Sequence, residues 1–558
     1  MKMAFNNIIL VLAALSVGLI VSSTSSPAGL QVHAAAPISS SSICSQVPYP
    51  QPCNSLAASY KPAEAGSIDN KTSTLFSFIR DSTIRLSFRQ AQQAHRLFSS
   101  MDASSFDPQA KLAWSDCLEM SEDTVHQLNR SVGCSSPHSV QTWLSAALTN
   151  QQTCANGFAD FNLSFDHYLQ SFPNNMFADL SKFLSNSLAI NKQLLLQATT
   201  TTTTSYSAKR QQTRSRRRRL LAHGFPGWLP AADRKLLLLE SSNSEQKADV
   251  VVAQDGSGNY KTISEAVAAS SKRRSGDARF VIYVKAGVYR EKIEIGSSMR
   301  NLMFVGDGIG ATVVTGDRNR GGSTTYDSAT FGISEDGFIA RDMSFENTAG
   351  PEKGQAVAVR CGSDFSVFFR CSFKGYQDTL YVYSKRQFYR LCDIYGTQDF
   401  IFGNAAAVFQ NCNIYVRKPL SNQDNYVTAQ KRSDPNQNTG IVIHNSMVKA
   451  AGEGAGSRKT YLGRPWQKYS RTVFMKCFLD DLIAPEGWAE WNGNFGLSTL
   501  YYGEYMNSGP GAGTSGRVKW PGYHVITSST EAGKFTVATF LAGDTWIPAT
   551  GVPFTSGL

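Results

Sequence analysis

One short frame, present in six copies, does most to limit what this chain can become. Phe338-Ile339-Ala340-Arg341-Asp342-Met343-Ser344-Phe345 returns as Val367-Phe368-Phe369-Arg370-Cys371-Ser372-Phe373. It returns again from Phe388 to Ile394, Val408 to Ile414, Val442 to Val448 and Val473 to Leu479. Each copy places apolar residues on both sides of a small one, and the copies follow at 20 to 34 residues, the interval of solenoid coils with variable loops. Strands apolar on both faces belong to parallel sheets covered on both sides, and a single coil cannot bury its own faces. An all-β right-handed parallel β-helix is therefore predicted, starting near the strand-like runs Phe280–Val284 and Asn301–Val305. Stacked coils lie ~4.8 Å apart, so equivalent cysteines on successive coils fall within disulfide reach. Cys392 and Cys412 are the expected disulfide, with a ladder of free buried thiols as the geometric alternative.

A chain of 558 residues exceeds what one hydrophobic core serves, and the texture before the repeat is different. Between residues 40 and 195 apolar residues recur at helical spacing, as in Trp143, Leu144, Ala147 and Leu148, which predicts a four-helix bundle. Cys44 and Cys53 are placed for a local staple, and Cys117 and Cys154 for a helix–helix tie that leaves Cys134 over. Residues 196–246 carry a six-Thr run, Thr199–Thr204, then Arg216-Arg217-Arg218-Arg219 and Arg234-Lys235; this composition reads as a linker with exposed sites for a processing protease. The β-helix domain then occupies 247–555.

Residues 1–34 have a Lys, an apolar run and a small-residue exit, the pattern of a cleaved secretory signal; an uncleaved anchor is the alternative. Ten cysteines and the sequons at Asn70, Asn129 and Asn162 fit an oxidising, secreted and glycosylated protein. No other long apolar run exists, which excludes a multi-span membrane protein. The net charge of +11 then points to an acidic extracellular partner such as a polyanionic polysaccharide rather than nucleic acid.

Gly-x-Ser-x-Gly, His-Glu-x-x-His and paired Cys-x-x-Cys are all missing from the sequence, so no metal or cofactor is expected. Carboxylates offer more. Asp378, in Tyr376-Gln377-Asp378-Thr379-Leu380, and Asp399, in Asp399-Phe400-Ile401-Phe402-Gly403, are 21 residues apart, one coil of the repeat. They should face each other, and adjacent carboxylates repel, so one stays protonated while the other ionises: a general acid beside a base or nucleophile. Gln355 and Gln377, about one coil apart, offer amides to a developing oxyanion. Tyr376, Tyr381, Tyr383, Phe400 and Phe402 suggest a sugar-stacking groove. A capped turn or a metal site is the competing reading of such an aspartate pair.

From about Ala248 to Phe554 the chain resembles plant pectin methylesterases (pectinesterases). The resemblance is carried by Gly287-Val288-Tyr289-Arg290-Glu291, Gln355-Ala356-Val357-Ala358, the two aspartate motifs, and Leu462-Gly463-Arg464-Pro465-Trp466. Residues 40–195, with Cys44, Cys53 and Thr142–Asn150, resemble the pectin methylesterase inhibitor domain. The resemblance implies Asp399 as nucleophile on the methyl ester of a galacturonosyl unit, Asp378 as proton donor and Gln377 as transition-state stabiliser. It implies Thr325, Gln355, Arg464 and Trp466 as substrate-binding residues, with Arg464 holding the nucleophile. Methyl-esterified homogalacturonan in the cell wall is the implied substrate, the helical region an inhibitory or retaining pro-region, and separate inhibitor proteins further partners. A β-helix hydrolase or lyase acting on pectin is the alternative. Gln398 and Tyr383 depart from the family pattern beside the groove.

Overall fold

The structure is a computed structural model that describes residues 43–59, 68–170, 172–173, 176–209, 248–273, 278–296, 299–452 and 458–558. The expected signal sequence, and the basic clusters between 210 and 247, lie outside the described residues. Within the described residues no helix is long and apolar enough to cross a membrane.

The N-terminal region is helical: α1 (Pro50–Ala57), α2 (Ile68–Ser100), α3 (Pro108–Ser131), α4 (Pro137–Asp160), the single turn α5 (Phe165–Tyr168) and α6 (Met176–Lys209). The four long helices pack on one another as a bundle. Sequence starts α3 and α4 in the same way. Asp107 and Ser136 accept hydrogen bonds from the first free backbone amides, and Pro108 and Pro137 occupy positions whose N–H has no helical partner. Disulfides join Cys44 to Cys53 and Cys117 to Cys154, the second tying α3 to α4. Helix α6 continues through the six-Thr run to Lys209, into the stretch expected to be linker. Extending a formed helix adds one hydrogen bond per residue fixed, which offsets the weak preference of Thr.

From Val250 onward all paired strands run parallel, as a β-helix requires. One face, among the described residues, is a sheet of seven strands: β1 (Ile293–Ile295), β2 (Phe331–Ile333), β3 (Val359–Cys361), β4 (Leu380–Val382), β5 (Ile401–Gly403), β6 (Asn425–Gln430) and β7 (Thr460–Pro465). The repeated frame forms the opposite, larger sheet. Its corner is a left-handed bend at Asp342, Arg370, Leu391, Asn411, Asn445 and Lys476, all with φ between 51° and 58°, followed by Met343 in the first of these coils and by a Cys or Ser in the other five. Inside, identical register stacks like on like: the rings of Phe368, Tyr389 and Phe409 lie 4.9 and 4.3 Å apart. Bundle and β-helix belong to one compact unit, Ser39–Leu558.

Cys392 and Cys412 correct the sequence reading. Both are buried free thiols, as are Cys361, Cys371 and Cys477. Each turns to backbone carbonyls, Cys392 to Phe368 and Arg390 and Cys412 to Tyr389 and Gln410. In-register stacking gives the two side chains one common direction, whereas a disulfide needs them aimed at each other. Alkylating the denatured, unreduced chain is therefore expected to label Cys392 and Cys412 but not Cys44, Cys53, Cys117 or Cys154. A cross-linked Cys392–Cys412 peptide in the digest would reverse this assignment.

Candidate active site

Asp378 and Asp399 each stand two residues before a strand, β4 and β5, whose register pairs Leu380 with Ile401 and Tyr381 with Phe402. They hold one position on successive coils. Both adopt left-handed backbone (φ 63° and 51°), which an aspartate tolerates better than most residues, and the Asp378 N–H donates to the Gln398 carbonyl at 3.0 Å. Together they line a cleft of about 360 Å³ with Thr325, Gln355, Gln377, Tyr381, Phe402, Arg464, Trp466 and Trp491. Two motif glycines serve this floor: a Cβ on Gly403 (φ 125°) would collide with the Val382 carbonyl, and one on Gly463 with Thr428.

Arg464, on β7, reaches back over β6 and grips Asp399 with two parallel bonds, Nε to Oδ1 at 2.9 Å and Nη2 to Oδ2 at 2.6 Å. Arg464 is aligned with Ala429 on β6, which is aligned with Phe402 on β5, and the small Ala429 leaves the guanidinium its path. That guanidinium lies over the rings of Tyr426 and Trp491, at 4.0 and 4.5 Å. Burial opposes its charge, but Asp399 more than restores it and lifts its pKa. Asp378 goes the other way. Burial first, then the negative charges of Asp399 and Asp160, push its carboxyl well above the usual range, and Arg464 and Arg320 only partly offset this. One acid is held neutral beside another that is ion-paired, the division expected of a proton donor and a nucleophile.

The wall facing these groups comes from α4. Thr153, Asn156, Gly157 and Asp160 lie along one side of that helix and line the same cleft. Asp160 accepts from the Thr325 N–H at 2.8 Å, and its carbonyl accepts two bonds from Arg320, at 3.0 and 2.7 Å. Lys431 donates to Thr153 at 2.9 Å, Tyr383 to Asn150 at 2.6 Å and Asn404 to Thr149 at 2.8 Å. Asp116 on α3 accepts from Thr324, and burial pushes its carboxyl up to about 8.

The structure thus brings Asp378, Asp399, Gln355, Gln377, Thr325, Arg464 and Trp466 into one cleft. Of five aromatic residues expected there, Tyr381 and Phe402 line it, stacked at 4.3 Å. Phe400 belongs to the solenoid core, Tyr383 is buried against α4, and Tyr376 lies under Arg417. Gly287–Glu291 is remote from the cleft: Glu291 caps the helix Ile263–Arg273 through the amides of Ile263 and Ser264. Sequence reasoning missed Trp491 and the facing residues of α4. For Trp491 no local signal exists; for α4, the run of polar residues at helical spacing between Thr142 and Thr153 was such a signal.

Comparison with known proteins gives a consistent picture. The family model described as Pectinesterase matches residues 249–544, and that described as Plant invertase/pectin methylesterase inhibitor matches 39–190. An Arabidopsis thaliana protein whose name joins pectinesterase and pectinesterase inhibitor is 53% identical over 92% of this chain and 93% of its own. Pectinesterase 2 of Citrus sinensis is 49% identical over 92% and 94%. The solved pectin methylesterase from carrot matches 56% of this chain and 98% of its own, at 56% identity and a TM-score of 0.55.

Asp378 also makes stability depend on pH. With its folded pKa above the ordinary 3.8, its contribution is complete at lower pH and is lost as pH rises towards the folded value. Asp378→Asn is therefore expected to raise the melting temperature at pH 7 relative to the unchanged chain, and to leave it little altered near pH 3.5. Equal shifts at both pH values, read by calorimetry, would show that Asp378 is not held neutral.

Proposed function

The chain belongs to the pectinesterase family and carries an inhibitor-family domain ahead of its esterase domain; on that premise we propose that it hydrolyses methyl esters of galacturonosyl units in pectin through an aspartyl acyl-enzyme. The observation that carries this reading is the unequal pair itself, Asp399 ionised against Arg464 and Asp378 neutral one coil away.

Asp399 attacks the ester carbonyl, and the carbonyl π electrons move onto oxygen. Gln377, with Gln355 beside it, donates to that oxyanion. The C–O bond to the methoxy group then breaks, and Asp378 gives it a proton, so that methanol leaves and an anhydride links Asp399 to the sugar. Asp378, now a carboxylate, takes a proton from water; the hydroxide adds to the sugar's acyl carbon, the bond to Asp399 breaks to return its carboxylate, and the galacturonic acid formed gives its proton to solvent. Thr325 and Trp466 hold the sugar, Trp466 near Tyr381 and Phe402 at 6.4 and 5.9 Å between ring centres. Glycoside cleavage by the same carboxylates is the second reading; two amides at an oxyanion position favour the ester, and methanol release against chain shortening separates the two.

Helix α4 closes this cleft in the uncut chain, which supports a precursor held inactive until its basic linker is cut by a processing protease, with the esterase then acting in the cell wall after secretion. A separate inhibitor protein of the same helical fold would use the same surface. Gly157 lies at this contact: its Cβ position is 3.6 Å from the Thr324 methyl group and from Ala113, room for a methyl group but not for a large side chain.

Asp399→Asn is expected to lower methanol release by about a thousandfold or more while the chain still melts cooperatively. Near-normal turnover would remove Asp399 from the nucleophile's role. Gly157→Trp is expected to wedge α4 off the cleft and raise methanol release by the uncut chain several-fold. No increase, with the variant folded, would contradict autoinhibition by α4.

A further inference from the structure

The sequence holds two Asn-Gly pairs, Asn156-Gly157 and Asn492-Gly493, and the fold gives them opposite surroundings. An asparagine followed by glycine is open to attack by its own backbone. Glycine has no side chain to shield its nitrogen, and its conformational freedom lets that nitrogen swing towards the asparagine's Cγ. Two conditions decide whether it does so: the side-chain amide must be loose, and the glycine N–H must be free of a hydrogen bond.

In α4 neither condition holds. Asn156 is half-buried and its amide is held at both ends, the nitrogen donating to the Gln152 carbonyl at 3.0 Å and the oxygen accepting from the Lys431 ammonium at 2.9 Å. Gly157 is buried within the helix, where its N–H is committed to the carbonyl one turn back. Asn492-Gly493 is the reverse case. It forms the tip of a loop fixed at both ends: the Ala489 N–H donates to the Gly463 carbonyl and the Leu497 carbonyl accepts from the Gly522 N–H, both at 3.0 Å. Between these anchors Trp491 to Phe495 are all exposed. The Asn492 carbonyl accepts from the Phe495 N–H at 3.2 Å, but among the described residues nothing bonds the Gly493 N–H or the Asn492 amide. Gly493 has left-handed backbone (φ 51°), and no atom comes within 4 Å of its Cβ position.

We infer that Asn492 is a site of self-modification. The Gly493 nitrogen attacks the Asn492 Cγ; the new N–Cγ bond replaces the Cγ–Nδ2 bond, and ammonia leaves with the proton of the N–H. One water then opens the cyclic imide, at Cγ to give aspartate or at the main-chain carbonyl to give isoaspartate. Each event turns a neutral amide into a carboxylate and takes one unit from the net charge of +11. Isoaspartate also routes the backbone through Cβ and Cγ, so the carbonyl used by Phe495 drops out of the chain. The adjoining Trp491 covers the Arg464 guanidinium at 4.5 Å, so the altered loop borders the site. The modification goes beyond the esterase reading and is independent of it; only its effect on methanol release rests on that reading.

The test holds the whole chain at pH 8 and 37 °C and follows both pairs by peptide mapping that separates asparagine, aspartate and isoaspartate. Asn492 is expected to convert about tenfold faster than Asn156 or more, since a backbone hydrogen bond must break before Asn156 can react. Its conversion should slow at pH 5, because the attacking nitrogen has to shed its proton, and unfolding in urea should bring the two rates together. On cation exchange a less basic form should build up from the unchanged chain and far more slowly from Asn492→Gln, whose longer side chain closes a less favourable ring. Methanol release should fall in step with isoaspartate in the unchanged chain and hold steady in Asn492→Gln. Equal conversion of the two pairs in the folded chain, or an Asn492 that stays intact, would overturn the inference. An equal fall of methanol release in both chains would strike out the loop's effect on the site. Absence of methanol from the fresh chain would sink the esterase reading alone, and the peptide map would still decide this one.

Discussion

Two carboxylates on adjacent rungs of a stack, both withdrawn from water, cannot both be charged. The rest of the site follows from how that conflict is settled. Parallel register puts Asp378 and Asp399 at one position of successive coils, about 4.8 Å apart along the stack. Arg464 breaks the symmetry. Its fork meets both oxygens of Asp399, so this acid remains an ion while the proton stays on its neighbour. A lysine could supply the charge but not the two parallel bonds that fix the carboxylate's plane. The Gly463 position, which must approach Thr428 closely, and the small Ala429 are what this reach demands of the neighbouring strands.

The bundle obeys a second constraint. A helix that buries one face usually makes it apolar, but the buried face of α4 includes Gln141, Thr142, Ser145, Thr149, Asn150 and Thr153. Those groups are satisfied because the β-helix offers partners to them: Asn404 to Thr149, Tyr383 to Asn150, Lys431 to Thr153 and Asn438 to Thr142. Each of these groups finds its partner across the interface, while Cys154 and Phe158 join an apolar cluster with Tyr381 and Phe402 there. An apolar face of the same size would hold the two parts together far more firmly.

Much of this was legible in the residues. The repeated frame marks a left-handed corner in each of its six copies and a buried small residue in five of them, both local requirements, so the solenoid could be read directly. The 21-residue offset then placed Asp378 over Asp399. The motifs were unevenly legible: Leu462–Trp466 was read as part of the site, and its Arg464 and Trp466 line the cleft, whereas Gly287–Glu291 was legible only as a motif and its Glu291 caps a helix. Cys392 and Cys412 show the limit of register arithmetic, which gives the distance between coils but not the direction of the side chains. The six-Thr run shows a similar limit, because composition says nothing of a helix already propagating into it from Met176.

Sequence by itself determined the coil repeat, the shared register of the two aspartates and the helical spacing of the first domain, since each is a periodicity written along the chain. Tertiary structure alone decided that Arg464 would reach over Ala429, that the cysteine ladder would stay reduced, and that α4 would lie across the cleft. Lys431 and Thr153 are 278 residues apart, and nothing periodic links them. Their meeting depends on how two finished surfaces fit, and that information resides in shape and partner geometry rather than in the order of residues.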